Sequence, residues 1–210
     1  MANIDAVFND DDFFTDIDKP VKETKKPKFT PFAKGEYYGH ITDVETREVN
    51  THGGKHKALV FNFKLTIDKA NERQNYTYNW GNSSFNAKGS EYVGQKIKAC
   101  GVFKYLVPTD NDDFKPNPDG NKSYGYFCEA LGIELPTVEK ELNGEKVKVK
   151  TLPMIKAEDI DGMPVVGVVG QGKPYTNANG KQITPWEVKF VKSWADGTKK
   201  EVTVDEDIPF

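Results

Sequence analysis

The sequence predicts a mainly-β fold: antiparallel strands, one or two short helices inserted midway, and disordered acidic termini. Three observations point there. Apolar residues recur at every second position through much of residues 56–80, which is the period of a half-buried strand. Clusters of Gly, Asn and Asp separate such runs at hairpin spacing. The first 18 residues hold six Asp and neither Lys nor Arg, a composition that buries too little apolar surface to offset the entropy of ordering.

Taken in order, residues 1–18 set Phe8, Phe13, Phe14 and Ile17 among the acids, an acidic-aromatic segment suited to docking elsewhere. Residues 19–34 switch sign. Lys19, Lys22, Lys25, Lys26, Lys28 and Lys34 are interleaved with Pro20, Pro27 and Pro31, which forbid a continuous helix. This reads as an extended basic arm, either a linker or a strip of phosphate contacts. Strand character begins at Gly35. Tyr37, Tyr38, Ile41, Val44 and Val49 mark a strand over 36–49, and Gly53-Gly54 supply the positive φ of a hairpin turn over 51–55. The next strand is the clearest in the chain: Leu59, Phe61, Phe63, Leu65 and Ile67 fall on one side, Asn62, Lys64 and Thr66 on the other. After a polar turn over 68–74, Tyr76, Tyr78 and Trp80 align their rings on one side of a third strand.

In the middle, Tyr92, Val93 and Ile97 recur at near-helical spacing and predict a helix over 91–99, stopped by Gly101. A second short helix is expected over 124–131, ended by Gly132 with Pro136 beyond. Between them, residues 108–123 are rich in Pro, Asn, Asp and Gly and read as a long exposed loop. Strands return at 146–150, 163–169, 184–194 and 199–204, with turn signals at Asn177–Gly180 and Asp196-Gly197 making hairpins of the last three. This count fits a small OB-like Greek-key barrel, with a sandwich as the other solution.

Length and charge bound the function. Residues 35–204 are enough for one domain with a proper core. The net charge of -3 hides a segregation. Setting aside the six acids at the start and the three at the end leaves 23 of 32 against 29 basic residues, about +6 for residues 19–204. A basic body between acidic ends attracts a polyanion, and the ends can compete for the same surface at low salt. Cys100 and Cys128 form neither a C-x-x-C pair nor a disulfide framework and are expected to stay reduced. No apolar run reaches the length of a membrane span, and the start lacks the basic and apolar regions of a signal peptide. A soluble, cytoplasmic protein with no membrane partner is the expectation.

Catalytic patterns fall short. Gly167 and Gly172-Lys173 come within one residue of a phosphate-binding loop, but Pro174 offers neither hydroxyl nor N–H, and the following stretch is turn-like. His52 and His56 are separated by Gly53-Gly54 and have no cysteine nearby, so no metal site is expected. Asp110, Asp112 and Asp113 read as a solvated loop, and no nucleophile-base arrangement can be argued from the spacings. The chain is expected to be a non-enzyme without cofactor.

What remains is a basic body of which 12% is aromatic. Single-stranded nucleic acid binds such surfaces when cations follow the phosphates and rings stack on bases, each stack contributing about 1–3 kcal/mol. The candidate rings are Tyr76, Tyr78, Trp80 and Trp186, flanked by Lys57, Lys64, Arg73 and Lys189. The competing reading places the aligned rings in the core.

The last six residues, Asp205, Glu206, Asp207, Ile208, Pro209 and Phe210, hold too few apolar atoms to anchor themselves. They suit a partner pocket that takes the Phe210 ring while Lys or Arg side chains hold the carboxylates. On Asp205, Asp207, Ile208, Pro209 and Phe210 this stretch resembles the acidic tip of bacterial single-stranded-DNA-binding proteins, with Glu206 a like-charged departure. A second resemblance spans residues 35–170. The order of a Gly35-Glu36-Tyr37 strand, a Gly-Gly hairpin, an aromatic strand, a helix and a late strand opened by Asp161-Gly162 is similar to phage single-stranded-DNA-binding proteins of the OB class. Together the resemblances imply a protein that coats single-stranded DNA during replication or recombination and recruits replication or recombination proteins through its tip, with self-association left open. The implied division is an acidic then basic arm over 1–34, a binding domain over 35–204 and a recruiting tip over 205–210. The alternative is an adaptor or virion-associated protein that docks on other proteins through its acidic aromatic ends and binds no DNA.

Overall fold

The computed structural model describes residues 25, 27–110, 113–117, 120–142 and 144–200. The expectations for residues 1–18, much of the basic arm and the tip at 205–210 fall outside them. The strands are β1 (Gly35–Thr51), β2 (His56–Ala70), β3 (Tyr76–Trp80), β4 (Ser83–Ala87), β5 (Lys96–Lys98), β6 (Val102–Pro108), β7 (Phe114–Pro116), β8 (Thr137–Leu142), β9 (Glu145–Lys150), β10 (Pro164–Gln171), β11 (Tyr175–Thr176), β12 (Gln182–Ile183) and β13 (Trp186–Ser193). Two helices, α1 (Lys122–Ala130) and α2 (Ala157–Ile160), lie between β7 and β10. Seven strands form one antiparallel sheet in the order β13-β10-β1-β2-β6-β7, with β5 also on β2, and β3-β4, β8-β9 and β11-β12 are separate hairpins. The mainly-β antiparallel architecture is the expected one. A closed barrel is not formed, because β13 meets the residue after β5 through a single parallel bridge, Ala99 to Val188, with the Cys100 N–H donating to the Val188 carbonyl at 3.0 Å.

The β1-β2 hairpin is the spine. Its turn places His52, Gly53 and Gly54 at φ of 52°, 65° and 92°, a left-handed run that the glycines make inexpensive. Bulges at Tyr38/Gly39 and Thr42/Glu45 bend β1 around the core. At Gly39 the strands approach so closely that a Cβ would lie 2.1 Å from the Thr66 carbonyl oxygen. Beneath β2, Phe61 stacks on Tyr124 and Phe63 on Phe127, with ring centroids 5.9 and 5.7 Å apart, so α1 seals one end of the core. At the other end Tyr37, Tyr76 and Tyr92 meet, each fully buried. The last part of the basic arm packs on this cluster. Phe32 stacks on Tyr92 at 6.0 Å, Thr30 donates to Glu91 at 2.8 Å, and the Tyr37 hydroxyl donates to the Ala33 carbonyl at 2.9 Å.

Lys104 of β6 is 1% exposed, yet no carboxylate among the described residues neutralises it. Its ammonium donates to the Pro153 carbonyl at 3.0 Å and to the Met154 sulfur at 2.8 Å, and stands 5.2 Å from the Tyr124 ring centroid. Burial lowers its pKa below that of a free lysine. Of the two cysteines, Cys128 is buried and Cys100 exposed, and neither is in a disulfide. No helix among the described residues is long and apolar enough to cross a membrane.

Three expectations are corrected. Residues 91–99 are not a helix: a 3-10 turn over Gly89–Tyr92 ends near Gly94 at φ 80°, and Ile97 and Ala99 then alternate with Lys96 and Lys98 as β5 pairs with β2. The stretch 108–123 is not simply an exposed loop. β7 pairs with β6, and the buried Asn121 amide bonds the Tyr105 backbone on both its N–H and C=O. Lys199 and Lys200 are not in a strand, because Lys200 is held by its own N–H to Gly162 and its ammonium to Asp68. Residues 201–204 lie outside the described residues.

Burial raises the phenol pKa values of Tyr37, Tyr76 and Tyr124, and takes Tyr92 up to about 12. A phenol whose folded pKa exceeds the unfolded value of about 10 contributes stability that is complete below that value and is lost as pH rises through the folded one. A tyrosinate absorbance titration followed in parallel by near-ultraviolet circular dichroism checks this. Tyr37, Tyr76, Tyr92 and Tyr124 should ionise only with cooperative loss of near-ultraviolet circular dichroism; ionisation of these four with that signal retained would contradict this packing.

Candidate nucleic-acid interface

Parity along β2 decides which side chains face the solvent. Phe61, Phe63, Leu65 and Ile67 point inward and are at most 3% exposed, so Ala58, Val60, Asn62, Lys64 and Thr66 take the outer face. Register carries that face onto the neighbours. Arg47 lies opposite Val60 on β1, Lys98 opposite Lys64 and Lys96 opposite Thr66 on β5, and Phe103 and Tyr105 opposite Val60 and Ala58 on β6. The Phe103 and Tyr105 rings stack at 5.7 Å with planes 14° apart. This pair covers Ala58 and Val60, which are buried although they point outward.

The face therefore sets a ring pair beside Arg47, Lys64, Lys96 and Lys98. Asp43, at the β1 bulge, accepts from Lys64 at 3.0 Å and Lys96 at 3.3 Å, and the Lys64 bond chiefly holds its carboxyl below the usual range. All three side chains are 43–50% exposed, so each bridge is worth about 1 kcal/mol or less. Lysines held so loosely can be transferred to a phosphate at small cost. Glu45, opposite Asn62, is the second acid on this face.

The structure divides the predicted site residues. Lys64 is on the face just described. Lys57, seven residues earlier, is of opposite parity; it pairs with Glu48 at 2.7 Å and stands 4.7 Å from the Phe114 ring centroid. Arg73 is exposed in the turn after β2. Tyr76 and Tyr78 are 0% and 3% exposed and cannot stack on a base, because Tyr37, Tyr92 and Phe85 already cover their faces. Trp80, at the end of the same strand, is 39% exposed and meets Phe29 of the basic arm edge-on at 5.7 Å. Trp186 is half-buried against the core. Lys189 is exposed on β13, and its 2.8 Å bond to Glu187 raises its pKa.

Sequence reasoning missed Arg47, Lys96, Lys98, Phe103 and Tyr105. A signal was there: Lys96, Lys98 and then Phe103, Tyr105 each stand two apart, a strand period that the helical reading of 91–99 overrode. The phosphate-loop resemblance dissolves as well, since β11 rather than a helix follows Lys173. The His52 and His56 rings lie 4.6 Å apart, and among the described residues no group of three His, Cys, Asp or Glu is placed to hold a metal.

No known protein family, curated protein or solved structure matches this chain. The candidate interface thus stands on its own geometry.

Two substitutions check the division between core and surface rings. Tyr76→Ala is expected to cost about 3–5 kcal/mol in urea denaturation, the scale of an aromatic deleted from a core. Tyr78→Phe should be neutral or stabilising, because the buried Tyr78 hydroxyl has no hydrogen-bond partner among the described residues. A Tyr76→Ala protein as stable as wild type would return that ring to the surface.

Proposed function

We propose that this chain binds single-stranded DNA along the outer face of β2 and its neighbours, as a module of the OB type. The observation that carries the reading is the convergence on one sheet face of Arg47, Lys64, Lys96 and Lys98 with the stacked Phe103-Tyr105 pair. Strand binding needs the same combination, cations at the spacing of a backbone and flat apolar faces for bases. The strand order adds support. β1, β2, β5, β13 and β10 follow one another in a ring of paired strands that is open only between β5 and β13, where the Ala99-Val188 bridge spans the gap, as in a partly open five-stranded Greek-key barrel whose second and third strands receive oligonucleotides. The chain coats single strands exposed in replication or recombination, and its residues 205–210 recruit the proteins that act there. No catalytic step is assigned to it.

Titration of labelled single-stranded and duplex DNA at several salt concentrations tests the binding. With four cations on phosphates, the slope of log affinity against log salt is expected near about -3 for single strands, at roughly 0.7 per contact. Replacing Lys64, Lys96 and Lys98 with Ala should flatten that slope by about 2, whereas Lys57→Ala leaves it unchanged. An unaltered slope in the triple variant would remove this face from the account. Recruitment is tested separately: a chain lacking residues 208–210 is expected to keep its strand affinity and to lose co-purification of replication proteins, and retained co-purification would refute the role of the tip.

A further inference from the structure

Where the ring of strands stays open, a cleft of about 430 Å³ separates β13 from the start of β6, with α1 as its floor. Two local features hold it open. On one side Gly101, at φ 86°, turns the chain away from β13 directly after the Ala99-Val188 bridge. On the other, the register of β13 slips: Val188 pairs with Val169 and Phe190 with Val168, so Lys189 is an extra residue. A bulge of this kind gives up ladder bonding and re-aims the side chain that follows it. Here that side chain is Phe190, 55% exposed. From α1, Tyr126, 69% exposed and one residue before the buried Phe127 that anchors the helix, lines the same cleft.

A cleft whose lining includes the rings of Phe63, Phe103, Tyr105, Phe127 and the exposed Tyr126 and Phe190 is suited to a flat heterocycle. Phe103 and Tyr105 line it as well as lying on the cationic outer face, so a strand laid along that face passes its mouth. Lys189 belongs to the lining as well, with its ammonium held by Glu187 at 2.8 Å. From this continuity we propose that the cleft is a nucleobase pocket, in which one base of the bound strand leaves the outer face and inserts between Tyr126 and Phe190. The proposal rests on the strand-binding reading and specifies where that reading places a base. Phosphates then stay on the lysine face while the pocket responds only to the base, so the two contributions separate experimentally.

The test compares a labelled oligothymidylate with an abasic strand of the same length, by fluorescence anisotropy with the full chain. The variant is Tyr126→Ala/Phe190→Ala, two changes at side chains that stand mostly in solvent, with thermal melting to verify the fold. Expected are a tenfold to hundredfold weaker grip on oligothymidylate, about one or two stacks lost, no change on the abasic strand and the same salt dependence on both. Photo-crosslinking of a bromouridine-substituted strand should label Tyr126 or Phe190 in the wild-type chain. Wild-type binding with an unchanged double variant, or an equal loss on both strands, overturns the pocket and leaves the outer face standing, with an apolar peptide as the cleft's remaining kind of occupant. Failure of the wild-type chain to bind either strand overturns both readings.

Discussion

The alternation of side chains along β2, fixed by hydrogen-bonded neighbours on both edges, is the constraint on which the other features depend. β1 pairs with it from end to end, while β6 and then β5 occupy the other edge, with the Ala99 N–H bonding the Phe63 carbonyl at 2.9 Å between them. Paired in this way, β2 cannot slip by one residue without sending four large apolar side chains into water and Lys64 into the core. The inward set anchors α1 through Phe61 and Phe63. The outward set collects cations and rings from three other strands.

Electrostatics on that outer face follow from exposure more than from charge count. Asp43 and Glu45 offset part of the positive charge, yet Asp43 holds Lys64 and Lys96 in open solvent. An acid so placed keeps the lysines extended over the sheet without binding them tightly. Where β2 and β5 run side by side, Lys64, Lys96 and Lys98 come together on one face.

Much of the scaffold was legible because its signals are local. The Gly53-Gly54 turn, the strict alternation from Leu59 to Ile67 and the Gly132 stop each act within a few residues, and the corresponding hairpin, strand and helix follow. The site was less legible, because a run such as Tyr76, Tyr78, Trp80 specifies a shared side but not what covers it. The cover comes from far away in sequence: Tyr37 and Tyr92 close over Tyr76, and Phe85 over Tyr78. Lys57 and Lys64 were separable from the start, since seven residues along a strand lead to the opposite side. Short β5 hid its alternation behind a spacing that also suits a helix, and the lysines it adds went unread.

The setting of Lys104 has a chemical corollary. Its charge leans on a thioether, one of the weaker acceptors a protein can provide, and the methionine that supplies it is 75% exposed. Peroxide reaching Met154 would convert that sulfur to a sulfoxide, whose oxygen is a far stronger acceptor for an ammonium. Damage that usually loosens an interior would here tighten the hold of the 153–154 segment on the sheet.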